Sequence, residues 1–184
     1  MKNRSLFVLT GVLAVSTPIT WSHVVLDQPG APAGSSYRAV FRVSHGCDGL
    51  ATTGITVRIP LGVQGAKPMP KPGWALDVRK EALVTPYTSH GKRVDSDVQE
   101  VSWRASSQES ALPDGLYDEF ILRATLPSTP GPLWFKVVQL CNDNGKEVRR
   151  EWAQLPKEGG DTKGLTLPAV RLQVEPAGKG PSHH

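Results

Sequence analysis

Tyr37-Arg-Ala-Val-Phe-Arg-Val43 sets Tyr37, Ala39, Phe41 and Val43 at alternate positions, with Arg38 and Arg42 between them. A period of two sends successive side chains to opposite faces of an extended chain, so this stretch reads as a strand with one apolar face. Ile55, Val57 and Ile59 repeat the pattern against Thr56 and Arg58, and Phe120, Leu122, Ala124 and Leu126 repeat it again. Further strands are expected at 24–27, 75–79, 98–104, 133–141, 148–154 and 169–175, each bounded by Pro, Gly, Asp or Ser. About nine short strands with turn signals between them, and no helical period, predict an all-β fold: an antiparallel β-sandwich of immunoglobulin-like or cupredoxin-like architecture.

The 184 residues suit one domain. Eighteen glycines and sixteen prolines favour short strands and turns over long helices, and 39% hydrophobic with 21% charged residues is the balance of a chain that folds in water. Met1 to Ser22 reads as a cleavable export signal. Lys2 and Arg4 precede an apolar run, Leu6 to Val15, too short to span a bilayer, and Thr20-Trp21-Ser22 places small residues where a signal peptidase inspects them. The expected organisation is therefore a leader at 1–22, a sandwich at 23–175 and a low-complexity tail at 176–184, with a periplasmic or secreted product and no stable membrane insertion after cleavage.

The formal net charge of +4 includes Lys2 and Arg4 of the leader. The remaining basic residues are singles or pairs, such as Arg79-Lys80 and Arg149-Arg150, without the basic, aromatic-studded stripe that binds nucleic acid. Nucleic acid is not an expected partner. GxSxG, HExxH, a Walker loop and a dinucleotide fingerprint are all missing, so the sequence does not read as an enzyme. The Gly91-Lys92-Arg93 triplet lacks the flanking residues of a phosphate loop and reads as a solvated turn. Cys47 and Cys141, both in the exported part, are expected to form a disulfide in an oxidising compartment; paired thiolate metal ligands are the alternative.

Cleavage after Ser22 would leave His23 as the first residue. Its free amine and imidazole Nδ1 then close a six-membered chelate ring around one metal ion. Copper(II) is the natural occupant, being first in the divalent affinity order and suited to nitrogen-rich tetragonal sites. The alternative for His23 is a frayed terminus.

His23-Val-Val-Leu followed by PGAPAGSSY, FRVSHGCDG at 41–49, TTGITVRIPLGV at 52–63, KPMPKPGW at 67–74, YDEF at 117–120, LPSTPGPLWFKVVQLC at 126–141 and Glu151-Trp152 together resemble the YcnI-like family of exported copper-binding domains, from His23 to about Val174. The resemblance implies a β-sandwich and a mononuclear Cu(II) site built on the N-terminal histidine, an acidic residue and a nearby tryptophan. Here these map to His23, Asp48 and Trp152. Many family members carry a Glu in a Pro-x-Glu context; this chain reads Ser44-His45-Gly46-Cys47-Asp48, so either Asp48 on a shifted loop or His45 replaces it, and Asp48 is the expected one. Asp48-Gly49 is also a good turn pair, and Trp152 is also a plausible core aromatic. Trp74, Trp103 and Trp134 are read as packing residues. His183 and His184 could form an auxiliary pair or a plain tail.

Met69 is the single methionine after the leader, so no Met-rich stretch favours Cu(I), and a Cu(II) carrier exchanging metal with another exported copper chaperone or a copper importer is expected. Two other classes stay open: a histidine-brace copper monooxygenase, which needs a second histidine such as His45 or His90, and a metal-free adhesion or interaction sandwich.

Overall fold

The computed structural model describes residues 24–157 and 161–178. Among them are eleven strands and no helix: β1 (Val25–Leu26), β2 (Gly30–Pro32), β3 (Ser36–Val43), β4 (Thr52–Arg58), β5 (Gln64–Pro68), β6 (Trp74–Ser89), β7 (Lys92–Ala105), β8 (Asp118–Thr125), β9 (Gly131–Asp143), β10 (Lys146–Trp152) and β11 (Val170–Glu175). Each strand read from the sequence is present. They form a four-stranded sheet, in the order β1-β3-β8-β5, and a seven-stranded sheet, in the order β2-β11-β9-β4-β7-β6 with β10 also on β9. The ladders are antiparallel except that β11 runs parallel to β2.

Alternation puts Tyr37, Ala39, Phe41 and Val43 of β3 and Phe120, Leu122 and Ala124 of β8 into the space between the sheets. They meet Ile55, Val57, Val101, Trp103, Phe135, Val137, Leu172 and Val174 from the larger sheet. Phe120 is the hub: Trp74 and Trp103 meet its ring edge to face, with centroids 5.0 and 5.7 Å away. Trp74 and Trp103 are thus buried packing residues. Trp134 instead lies half-buried beneath the Arg171 guanidinium, 6.0 Å from its ring.

Two features place the candidate site. Strand β9 shares one edge between two partners, pairing residues 131–135 with β11 and 137–143 with β10. Trp152, the last residue of β10, therefore lies at the seam where one partner gives way to the other. Strand β1 runs antiparallel to β3, with Val25 opposite Arg42 and Leu26 opposite Phe41. The described chain thus begins, at Val24, beside the end of β3, which leaves Val43 and enters the loop at Ser44.

The β6–β7 hairpin reaches beyond the sandwich. Its turn is His90-Gly91, with φ of 48° and 73°, so the triplet at 91–93 belongs to a hairpin turn. The ladder slips between Ala82 and Tyr87. Buried Asp97 ties this arm back to β5: its carboxylate accepts hydrogen bonds from the Tyr87 hydroxyl at 2.7 Å, the Gly65 N–H at 2.8 Å and the Val98 N–H at 2.7 Å. Burial and the Asp97 bond push the Tyr87 phenol up to about 12. No helix among the described residues is long and apolar enough to cross a membrane.

Candidate metal centre

The loop from Ser44 to Leu50 is fixed at nearly every residue. Gly46 donates its N–H to Asp114 Oδ1 at 2.9 Å, and a Cβ at Gly46 would fall 1.6 Å from the Leu50 carbonyl oxygen. No side chain fits there. Cys47 and Leu50 exchange backbone hydrogen bonds of 3.2 and 3.1 Å around a two-residue turn in which Asp48 and Gly49 have φ of 54° and 88°. Both are left-handed, a conformation that Asp tolerates better than most residues and Gly adopts freely. The disulfide predicted from the sequence is present, Cys47 to Cys141 of β9, with Cα atoms 5.9 Å apart.

Beside the disulfide lies a buried polar group that the sequence reading passed over. Gln139 follows Phe135 and Val137 on the inward face of β9 and is 1% exposed. Its amide nitrogen donates to the His45 carbonyl and to Thr52 Oγ1, both at 2.8 Å. Its amide oxygen accepts the Trp152 indole N–H at 3.4 Å. Thr52 Oγ1 in turn lies 3.9 Å from Cys141 Sγ. One amide thus joins the indole, the loop and the disulfide neighbourhood. The available signal was a polar residue at a core-facing position of an alternating strand.

Trp152 itself is 3% exposed and belongs to the core, so its reading as a packing aromatic holds alongside its place next to the loop. Asp48 lies on the rim, its side chain 78% exposed and ion-paired with Arg150. Arg150 and Trp152 are two apart on β10 and so share a face, which sets the Asp48 carboxylate over the strand that carries the indole. The guanidinium neutralises that carboxylate, and a divalent cation bound there would sit against a positive charge. His45 is half-buried, and its Nδ1 hydrogen-bonds the Gly46 carbonyl. A carbonyl only accepts, so Nδ1 carries the proton and the lone pair of the neutral ring is on Nε2.

His23, His183 and His184 lie outside the described residues, as do the segment 1–22 read as a leader and the end of the tail. His90 is in the hairpin turn rather than in the Ser44–Leu50 loop. Met69 is half-exposed, its N–H donating to the Ile121 carbonyl at 2.8 Å and its carbonyl accepting the Trp103 indole N–H at 2.9 Å. No group of three or more His, Cys, Asp or Glu side chains able to hold a metal occurs among the described residues. The donor set at this end of the sandwich, one imidazole and one paired carboxylate, fits a copper ion only together with nitrogen donors from His23.

The family model described as a domain of unknown function, DUF1775, matches residues 23–174. The chain belongs to the DUF1775 family. The match begins at His23, directly after the leader-like segment. The DUF1775 sandwich is also similar to a solved structure described as an uncharacterized protein from Nocardia farcinica with an immunoglobulin-like fold, at 27% identity and a TM-score of 0.61, covering 83% of this chain and 97% of that one. No curated protein matches.

Proposed function

We propose that this DUF1775 domain is an exported, non-enzymatic Cu(II)-binding protein that holds one ion at the amine and imidazole of a mature N-terminal His23. The observation that carries the reading is the domain boundary. The family match opens on a histidine behind a segment with the pattern of an export signal, and cleavage at that boundary would leave the free amine a chelate ring needs. The architecture supports it: β1, near the start of the family match, pairs with the end of β3, after which the disulfide, Gln139 and Trp152 fix a loop carrying further donors.

Loaded copper is cargo, to be received from or passed to another exported copper chaperone or an importer. The chain's own residues bind the ion through His23, complete its coordination from the Ser44–Asp48 loop, and cover it with the Trp152 side of the sandwich. The fluorescence of Trp152 is expected to be quenched by Cu(II), and Trp152→Phe to remove much of that quenching while binding survives.

The test is an EPR spectrum of protein beginning at His23 with one equivalent of Cu(II), beside protein carrying one extra residue before His23. Nitrogen hyperfine structure in the first and its loss in the second is the expected result. Equal binding by the two, or intact-mass analysis placing the exported start at Val24 or later, overturns the reading. Copper-dependent peroxide consumption on a polysaccharide would replace it with the monooxygenase reading.

A further inference from the structure

We infer that the outer face of the four-stranded sheet binds an acidic polysaccharide, a chain with a carboxylate on each sugar ring, through a row formed by Arg38, Arg123 and Lys67. This surface is independent of copper.

The three cations stand apart in the sequence, and the sheet lines them up. Arg38 of β3 lies directly opposite Arg123 of β8, and Arg123 lies directly opposite Lys67 of β5. Their strand neighbours Tyr37, Ala39, Leu122, Ala124 and Ala66 are buried in the core, so the three side chains point outward, and all three are exposed. With strands about 4.8 Å apart, the row crosses three of them in about 10 Å.

The charge of this row is unusual for the molecule. Among the described residues, every arginine but three ion-pairs with a carboxylate. Arg171 lies over the Trp134 ring instead. The other two are Arg38 and Arg123, which face each other, and no described carboxylate reaches Lys67 either. Like charges directly opposite on a sheet are destabilising, so the fold carries a repulsion that a bound anion would relieve. Arg123 is also held ready. Its Nε donates to Ser36 Oγ at 2.8 Å, which leaves its terminal nitrogens and the Ser36 hydroxyl proton to donate to a ligand.

The surroundings select the shape of that ligand. Along the strands, the Arg38–Arg123 pair is followed by the uncharged pair Val40–Ile121 and then by Arg42 opposite Glu119, with Asp27 ion-paired to Arg42. A flat anionic membrane laid on this face would meet those carboxylates, whereas a narrow chain lying across the strands meets the cations alone. On the other side of the row Ser36 lies opposite Thr125, two hydroxyls suited to the hydroxyls of a sugar. Arginine takes a carboxylate through two parallel N–H···O bonds, and one carboxylate per sugar ring recurs at a spacing close to that of neighbouring strands. The row and the pairs beside it hold no aromatic ring on which a nucleobase could stack.

The test is calorimetric titration of the folded protein at low ionic strength with polygalacturonate, beside its methyl ester, oligothymidylate and phosphatidylglycerol vesicles. Polygalacturonate should bind and the ester should not. Arg38→Gln/Arg123→Gln should weaken binding about tenfold, the combined worth of two good exposed ion pairs. Lys136→Gln/Lys146→Gln, which removes the same charge from exposed positions of β9 and β10, should leave it unchanged. Because repulsion is relieved, the arginine variant should unfold in urea at the parent's midpoint or above it.

Failure of the parent to bind polygalacturonate, equal binding of the ester, equal losses in the two double variants or a lowered midpoint in the arginine variant would each overturn the inference. Tighter binding of oligothymidylate or of vesicles, lost in the arginine variant, would overturn the polysaccharide assignment and give the row to that other anion.

Discussion

Replacing both Cys47 and Cys141 by Ala removes a crosslink whose partners are 94 residues apart. In the chain-entropy description, closing a loop of that length lowers the entropy of the unfolded chain enough to be worth about 4.7 kcal/mol at 25 °C. Both sulfurs are buried, so their loss adds to this figure rather than offsetting it. With a urea m-value of about 2 kcal/mol/M, mid-range for small proteins, the unfolding midpoint should fall by about 2 M, and the slope should rise because the uncrosslinked chain exposes more surface.

The loss should also be uneven. Cys141 belongs to a strand paired on both sides, by β4 and by β10, and holds its place without the bond. Cys47 belongs to a loop held at one strand end and by isolated contacts. Hydrogen exchange should therefore quicken first at the amides of Gly46, Cys47 and Leu50 and least along β9. Urea titration and exchange mass spectrometry of the parent and the double Ala variant supply both readings. A midpoint shift below about 0.5 M, or a loop whose exchange does not change, would refute the claim that this bond holds both the fold and the loop.

Gln139→Leu should cost about 2–4 kcal/mol, since it strips the His45 carbonyl and Thr52 hydroxyl of a buried donor, and should shift the emission assigned to Trp152 by difference from Trp152→Phe. Asp97→Ala should cost about 3–5 kcal/mol in urea unfolding, because the Gly65 and Val98 amides and the Tyr87 hydroxyl lose a charged acceptor. The three tyrosines, Tyr37, Tyr87 and Tyr117, are each pushed up to about 12, Tyr37 by burial and Tyr117 foremost by its bond to Glu119. Phenolate absorbance at 295 nm should accordingly be absent near pH 10 and rise close to pH 12. Because the folded pKa values exceed the unfolded ones, the contribution of these groups to stability is complete below about pH 10 and is lost as pH climbs toward 12. Copper affinity should fall as pH drops from neutral through about 6, since the ion displaces protons from an amine and from imidazole, and calorimetry in two buffers should register their release.

What the sequence disclosed follows from which surfaces are one-sided. Strands β3, β4, β8 and β11 each bury one face, so the period of two is visible in them. β2 is three residues, Gly-Ala-Pro, too short and too turn-like to show a period, and β5 carries a left-handed Gly65 and a register break. Residues 77–82 of β6 are exposed on both faces, so they have no alternation to read. At the site, the disulfide was legible from cysteine arithmetic alone. The Asp48 pairing with Arg150 was not, for its partners are 102 residues apart and meet only because β10 folds against the loop side of β9. Gln139 could have been noticed, since Phe135, Val137 and Cys141 share its inward parity and it alone is polar.

The parallel pairing of β2 with β11 has a consequence in time. Residues 30–32 are synthesised early, yet the strand they pair with spans Val170–Glu175. A chain emerging from its amino end must carry β2 unpaired while all the intervening strands are made, and β11, which also completes the edge of β9, arrives last. Non-local pairing of this kind is slow to form, because the long connecting loop is closed before any contact repays its entropy. Closure of the sandwich should therefore wait on its final strand, and truncation before Val170 should leave both β2 and one half of β9 as open templates for other chains.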